Sequence, residues 1–265
     1  MTIKYKLILE YDGTGYRGWQ SQKNARTVQD TLADAAARLL GYEVDVQGAG
    51  RTDAGVHALG QVAHLAARHR IALQDLQYGL NDLLPAGINI LRVTEAPPDF
   101  HARHDARKRV YLYVVSQVRT AFAKRYVWWV KDELHVGHMA KAAERFVGFH
   151  DFVSFSDRRM DRNVSTRVLV DQVRIEAIGS GIVLILSASH FLWKMVRRMA
   201  GILVEVGRGN LREQDISEML ERYTDFPARC TAPPSGLFLA QVLYDGDEPT
   251  PIRLPLWRDY LPPWD

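Results

Sequence analysis

Apolar and polar residues follow two different periods along the first hundred residues of the chain. Lys4–Glu10 alternates loosely and ends at the turn sequence YDGTG, a pattern that favours a strand. After Thr27, a residue type that caps helices, apolar side chains recur at helical spacing as far as Leu40. The same criteria then predict the strand Gly60–Ala66, the helix Leu73–Leu84 stopped by Pro85, and the strand Ile88–Val93. The predicted order is β-α-β-α-β.

A similar order begins again in the second part of the chain. The pattern predicts the strand Val110–Ser116, the helix Val136–Val147, the hairpin strands Val168–Ile178 and Gly181–Ala188, the helices Phe191–Val206 and Ile216–Tyr223, and the strand Leu237–Leu243. We therefore expect an α/β fold of the α+β type, made of two mixed-sheet halves in pseudo-duplication, each with helices on one face. The predicted division is 1–106 for the first half, 107–245 for the second and 246–265 for a proline-rich extended tail.

Two stretches lack a regular period. The segment Ser154–Thr166 is polar and rich in charge, and we expect an irregular loop there. The tail after Asp245 carries five of the eleven prolines, which favours an extended path along the surface.

The composition narrows the class of protein. The chain has 265 residues, of which 47% are hydrophobic and 25% charged, as in ordinary globular proteins. No apolar run approaches the length that crosses a bilayer, and the first residues lack a signal-peptide pattern, so we expect no membrane association. The single cysteine, Cys230, excludes an internal disulfide and multi-thiolate metal sites. We expect a cytoplasmic protein.

The local distribution of charge is more informative than the net charge of +3. Basic residues cluster at Arg103, Arg107, Lys108 and Arg109, at Lys124 and Arg125, at Arg158, Arg159, Arg162 and Arg167, and at Lys194, Arg197 and Arg198. Aromatic residues lie among them: Phe100, Tyr111, Tyr113, Tyr126, Trp128, Trp129 and Trp193. A polyanion that also presents flat bases would fit such a surface, although solvated loops and helix faces would look the same.

The segment GAGRTDAGVHA, Gly48 to Ala58, is the strongest candidate for chemistry. Its glycines let a loop present Arg51 and Asp53 at the surface of a cleft. It has neither the glycine-lysine pattern of a phosphate loop nor a G-x-G-x-x-G after a strand. From these residues alone, a tight turn in which Asp53 caps a neighbouring helix is the favoured interpretation.

Several segments of the chain together resemble one family. Besides GAGRTDAGVHA they are YDGTGYRGWQSQ from Tyr11, TVQDTL from Thr27, LNDLLP from Leu80, FHARHDA from Phe100, RVYLY from Arg109, FLWKMVRRMAG from Phe191 and PSGLFL from Pro234. They are similar, in order and spacing, to the tRNA pseudouridine synthase A family. The resemblance implies the pseudouridine synthase fold, with two ferredoxin-like halves and an active-site cleft between them. It also implies an isomerase that converts uridine to pseudouridine at positions 38, 39 and 40 of the tRNA anticodon stem-loop.

The resemblance implies a role for five residues. Asp53 matches the catalytic aspartate, acting as nucleophile or base, and Arg197 matches the arginine that pairs with it. Tyr111 matches the tyrosine that contacts the flipped uracil, and Arg51 is expected to contact RNA. Leu237 is expected to form the apolar wall of the pocket, although Leu239 is an alternative. Tyr111 as a core aromatic and Arg197 as a solvated helix residue remain open from the residues alone.

The implied reaction needs no cofactor and no metal, and the implied partners are tRNA and a second copy of the chain in a homodimer. Two other functions stay open: a hydrolase that uses Asp53 with a second carboxylate, and a tRNA-binding module without catalysis. His57 and His101 are interpreted as structural hydrogen-bonding residues. The chain departs from many relatives in having Trp193 and Lys194 where they have a histidine before the MVR sequence.

Overall fold

The computed structural model describes residues 2–157, 159, 164–253 and 260–261. They form two compact units. The first contains Met1–Arg107 and Phe238–Thr250, and the second contains Lys108–Leu237 and the segment that begins at Pro251.

The first unit has the strand and helix order of a split β-α-β fold. Its elements are the strand β1 (Ile3–Tyr11), the helix α1 (Val28–Leu40), the strands β2 (Val46–Gly48) and β3 (His57–Ala67), the helix α2 (Leu73–Leu83) and the strand β4 (Ile88–Ala96). β1 lies between β4 and β3, and β2 pairs with the other part of β3. These pairs are antiparallel, and the order β4-β1-β3-β2 is that of a ferredoxin-like sheet.

Both helices of the first unit bury an apolar face. The Thr27 side chain accepts a hydrogen bond from the Asp30 amide and caps α1, which buries Val28, Leu32, Ala35 and Ala36. α2 buries Leu76 and Leu80 and ends at Leu84, the residue before Pro85. In β1 every second side chain from Tyr5 to Tyr11 is buried, as expected for a strand with one face on the core.

The second unit repeats this arrangement on a larger scale. Its elements are β5 (Lys108–Ser116), β6 (Trp128–Trp129), α3 (Val136–Ala143), β7 (Gly148–Asp151), β8 (Arg167–Ile178), β9 (Gly181–Ala188), α4 (Met195–Gly207), α5 (Glu213–Glu221) and α6 (Phe226–Arg229). β9 pairs antiparallel with both β5 and β8, β7 extends the sheet beyond β8, and β6 runs parallel to β5. β5, β9 and β8 thus take the places that β1, β3 and β2 have in the first unit.

The closing strand β10 spans Leu237–Leu243. Phe238 and Leu239 pair with His57 and Ala58 of β3, and the two strands run parallel. Because this pair is parallel and the other pairs of the first unit are antiparallel, the sheet of the first unit is mixed. The expected mixed α/β fold class is confirmed.

Some predicted boundaries were wrong. α4 begins at Met195 rather than at Phe191, because Lys194 adopts a left-handed conformation with φ of 64° and breaks the helical path before it. α3 ends at Ala143, and Glu144–Phe146 continues as one 3-10 turn. The helix predicted at Ile216–Tyr223 spans Glu213–Glu221. The short strands β2, β6 and β7 were not predicted, since two to four residues carry too little periodicity.

The two irregular stretches are described only in part. Of the predicted loop Ser154–Thr166, residues 158 and 160–163 lie outside the described residues, and Val153–Phe155 forms a 3-10 turn. Of the predicted tail, residues 254–259 and 262–265 lie outside them. The tail contains two short antiparallel strands that were not predicted, β11 (Ile252–Arg253) and β12 (Tyr260–Leu261). No helix within the described ranges has both the length and the apolar character that a membrane span requires.

Candidate active site

Asp53 lies in the loop that connects β2 to β3 in the first unit. Its side chain is half-buried, whereas Arg51 two residues before it is exposed and Thr52 between them is buried. The loop closes on itself where the Val56 amide donates to the Asp53 carbonyl at 3.1 Å. A carboxylate that is half-buried on a tight loop is held in place and can still meet a substrate.

The backbone of this loop is hydrogen-bonded to the segment that follows β1. The Trp19 amide donates to the Thr52 carbonyl at 3.1 Å, and the Gly55 amide donates to the Tyr16 carbonyl at 3.3 Å. Trp19 is buried and its ring lies against Gly48, at the start of the loop. The YDGTGYRGW sequence therefore supports the Asp53 loop on both sides of the carboxylate.

Two glycines of that segment allow this close approach. Gly18 has φ of 96°, and a Cβ there would lie 2.5 Å from the Thr52 carbonyl oxygen. A Cβ on Gly13 would lie 2.0 Å from the Val56 carbonyl oxygen. Any side chain at either position would displace the Asp53 loop, so packing requires both glycines, and at Gly18 the positive φ favours glycine as well.

A buried hydroxyl network lies beneath the loop. The Tyr11 hydroxyl is 2.8 Å from the Thr52 hydroxyl, and Gln61 Nε2 donates to the Gly50 carbonyl at 2.9 Å. Burial raises the pKa of Tyr11 to about 12, so its hydroxyl stays protonated at neutral pH. Tyr11, Thr52 and Gln61 were not among the predicted site residues, because nothing in the spacing shows that these polar side chains meet.

The two histidines interpreted as structural make structural hydrogen bonds. His57 is buried at the start of β3, accepts from the Gly13 amide at 3.1 Å and stacks on Phe238 with 4.8 Å between ring centroids. His101 Nδ1 accepts from the Arg103 amide, and its Nε2 lies 2.9 Å from Gln47 Oε1. Both histidines therefore orient backbone around the loop and the strands.

Tyr111 and Tyr113 lie on one face of β5 in the second unit. Tyr111 is only 8% exposed, and the Phe191 ring packs edge-on against it at 5.2 Å. Tyr113 is fully buried and donates its hydroxyl to the Pro233 carbonyl at 2.8 Å. Burial raises the pKa of Tyr113, and the positive charge of Arg197 opposes that shift. Tyr113 thus packs in the core of the second unit.

Arg197 and Arg198 are neighbours on α4 with different surroundings. Arg197 is half-buried, and its Nε donates to the Ala232 carbonyl at 2.8 Å while the Ala232 amide donates to the Arg197 carbonyl at 3.0 Å. Arg198 is buried and donates to the carbonyls of Ser154 and Ser156. Arg198 was grouped with the surface cations, and that placement is wrong because its guanidinium holds the chain before residue 158.

Leu237 and Leu239 are both buried at the start of β10. A Cβ on Gly236, just before them, would lie 2.7 Å from the Val114 carbonyl oxygen, so the chain enters β10 in direct contact with β5. Leu237 belongs to the second unit with Tyr111 and Arg197, whereas Asp53 and Arg51 belong to the first.

Comparison with known proteins gives a direct result. The family model described as tRNA pseudouridine synthase matches residues 7–105 and 142–245. The chain belongs to the tRNA pseudouridine synthase family. Members of this pseudouridine synthase family isomerise uridine to pseudouridine in tRNA, and the mixed α/β fold agrees with theirs. Asp53, Arg51, Arg197 and Leu237 fall within the two matched segments, and Tyr111 falls between them.

Individual family members are similar over nearly their whole length. A tRNA pseudouridine synthase A of Acetivibrio thermocellus is 41% identical over 241 residues, which is 90% of this chain and 98% of that protein. One of Ruminiclostridium cellulolyticum is 40% identical over 243 residues, covering 91% and 99%. One of Rhodospirillum rubrum is 37% identical over 254 residues, covering 95% and 91%.

Proposed function

We propose that this chain isomerises uridine to pseudouridine at positions 38, 39 and 40 of the tRNA anticodon stem-loop, with Asp53 as the reacting carboxylate. Membership of the tRNA pseudouridine synthase family carries the proposal. The geometry of the first unit supports it, because the Asp53 loop is held by backbone hydrogen bonds on both sides and leaves the carboxylate partly accessible.

The reaction suits a carboxylate. The bond from C1′ to N1 of uracil breaks, the base turns over, and a bond from C1′ to C5 forms with loss of the C5 proton to solvent. A carboxylate can attack C1′, remove a ribose proton, or balance positive charge at C1′ while the base is detached. Asp53 supplies that group, whichever of these steps it performs.

The other site residues prepare the carboxylate and the base. We infer that Arg197 provides the positive charge that keeps Asp53 ionised when substrate excludes water. The hydrogen bond from its Nε to the Ala232 carbonyl fixes one side of the guanidinium group, which supports this role. We infer that Tyr111 contacts the flipped uracil and that Leu237 closes the apolar side of the pocket.

Arg51 is proposed to contact the RNA from which the base is removed. It is exposed two residues before Asp53, which is where a cation can reach the phosphate chain beside the target. We further propose a homodimer as the working form. A tRNA substrate and a chain with one cysteine support a cytoplasmic location.

The test uses tRNA labelled with tritium at C5 of uracil. Isomerisation replaces the C5–H bond by a C–C bond, so the proposal predicts tritium release into water without abasic sites. Abasic sites formed in proportion to turnover would indicate a hydrolase instead. If the folded protein binds tRNA but releases no tritium, the chain is a tRNA-binding module without catalysis. Release confined to uridines outside positions 38–40 would overturn the proposed target.

A further inference from the structure

The loop that connects β5 to β6 in the second unit, residues 117–127, presents an aromatic side chain to solvent. Phe122 at its tip is 94% exposed, more than any other large apolar side chain in the described residues. A single exposed leucine is ordinary on a protein surface, but a fully exposed phenylalanine loses most of the free energy that its burial would contribute. The ring is therefore available to a ligand that would cover it.

Both ends of this loop are fixed to the second unit. At its start the Gln117 amide donates to the Ser180 carbonyl at 3.1 Å, and the Ser116 hydroxyl donates to the Val118 carbonyl at 2.8 Å. At its end Val127 is buried and its carbonyl accepts from the Ser235 hydroxyl at 3.2 Å. The tip of the loop, with Phe122, therefore projects from two ends that are fixed to the second unit.

The chain at the end of this loop contacts neighbours of the proposed site residues. The Trp128 ring packs edge-on against Tyr113 at 6.1 Å, and the Tyr113 hydroxyl in turn binds the Pro233 carbonyl. Ser235, which holds Val127, lies two residues before Leu237. Tyr111 is on the strand that leads into the loop, about 20 Å before its first residue at the usual rise of a strand. The loop therefore has a defined position relative to Tyr111. It lies too far along the strand to contact a uracil that Tyr111 contacts.

The charge around Phe122 has one sign. Arg119, Lys124 and Arg125 lie within three residues of it and are exposed, and no aspartate or glutamate occurs from Gln117 to Val130. The Arg119 guanidinium lies 5.4 Å from the centre of the Trp129 ring, which is itself 41% exposed. Cations and exposed rings on one short loop are the composition that binds single-stranded or flipped-out nucleotides.

We propose that the loop 117–127 is a second tRNA contact, in which Phe122 stacks on an unpaired base and Lys124 contacts the neighbouring phosphates. This inference rests on the proposed function and adds a binding element to it. The loop lies between the two segments that the family model matches, residues 7–105 and 142–245.

Other occupants fit the loop less well. Direct pairing of this loop with the same loop of a second copy would bring like charges together, which opposes that arrangement. A membrane surface would gain little from one phenylalanine, since stable attachment needs several apolar groups or a lipid anchor. A nucleic acid satisfies both features at once, because it offers phosphate charge and a flat base.

The test compares Phe122→Ala, Phe122→Trp and Lys124→Gln with the unchanged protein. Initial rates of tritium release are measured against tRNA concentration at two salt concentrations. Phe122→Ala should raise the KM for tRNA about five- to tenfold and leave kcat within twofold, as expected for loss of one stacked base far from the chemistry. Phe122→Trp should have the KM of the unchanged protein. Lys124→Gln should raise the KM less than Phe122→Ala does, and it should weaken the dependence of the KM on salt.

Phe149→Ala is the matched control, because Phe149 is 64% exposed on β7 of the same unit and lies outside the loop 117–127. Its KM should equal that of the unchanged protein. An unchanged KM in Phe122→Ala would overturn the inference, as would a KM change accompanied by an altered oligomeric state or by lost binding to anionic vesicles. Absence of tritium release from the unchanged protein would instead reject the proposed function.

Discussion

The Tyr11 hydroxyl lies 2.8 Å from the Thr52 hydroxyl, directly beneath the peptide that leads into Asp53. Both residues are buried, and Gln61 joins them to the Gly50 carbonyl. A strand of the sheet thus reaches the candidate catalytic loop through side-chain hydrogen bonds as well as through backbone. The position of Asp53 depends on these contacts.

Replacing Tyr11 with phenylalanine tests this support. The variant leaves the Thr52 hydroxyl buried without its tyrosine partner, so the free energy of unfolding should fall by about 1 to 2 kcal/mol. The rate of tritium release should fall as well, because the loop loses a fixed contact next to Asp53. Urea unfolding and initial rates measure the two effects. Tyr42→Phe, which removes a hydroxyl that accepts from the exposed Arg68 amide, should change stability by less than about 0.5 kcal/mol.

Gly18→Ala tests the close approach of the two loops. Gly18 and Gly41 both have positive φ, 96° and 79°, but only the Cβ on Gly18 would meet another atom, the Thr52 carbonyl oxygen. Gly41→Ala should therefore cost about 1 kcal/mol of unfolding free energy and leave kcat unchanged. Gly18→Ala should cost about 3 kcal/mol and lower kcat at least tenfold among molecules that remain folded. Equal effects of the two variants would show that the contact with Thr52 is unimportant.

The neighbouring arginines of α4 should separate chemistry from stability. Arg197→Ala is expected to lower kcat by about a hundredfold or more. The free energy of unfolding should fall by only about 1 kcal/mol, because the variant loses the hydrogen bond to the Ala232 carbonyl. Arg198→Met should cost about 2 to 4 kcal/mol of unfolding free energy, because it leaves the Ser154 and Ser156 carbonyls without this donor. Thermal unfolding and single-turnover rates distinguish them. An Arg197 variant that changes only the affinity for tRNA would contradict its pairing role.

His64 should make the stability depend on pH. Burial, with the charges of His101 and Lys4, lowers the pKa of His64 to about 4, and its Nδ1 accepts from the Ala102 amide at 3.1 Å. The unfolded chain binds this proton near pH 6.5, so the unfolded state holds more protons between pH 6.5 and 4. Stability should therefore fall as the pH falls through that window. His64→Gln should flatten the profile there, and an unchanged slope would exclude His64 as its cause.

Local patterns were sufficient for most elements of the fold. Thr27 and the apolar spacing behind it define α1, and Pro85 marks the end of α2. The beginning of α4 was wrong because Leu192 and Met195 have helical spacing, while Lys194 between them is left-handed and forms an ion pair with Asp157. A contact 37 residues away along the chain leaves no mark on local periodicity.

In the candidate site, too, local sequence predicts some features, whereas contacts between residues distant in sequence determine others. Asp53 stands in a glycine-rich segment, so its loop could be predicted, whereas the support from Tyr11 and Thr52 joins residues 41 apart. Arg197 and Arg198 look alike in the sequence, and only the packing of α4 against the Ser154 segment separates them. The roles of Asp53, Tyr111, Arg197, Arg51 and Leu237 stay predictions until variants are measured.

The rate of tritium release by Asp53→Ala and Asp53→Asn tests the central claim most directly. Both should lose more than about a thousandfold in rate, while the midpoint of thermal unfolding and the affinity for tRNA stay close to those of the unchanged protein. Asp53→Asn is the closer control, because the amide keeps the size of the side chain and removes its charge. Residual release above about one part in a thousand, from a folded variant that binds tRNA, would contradict the assignment of Asp53 as the reacting carboxylate.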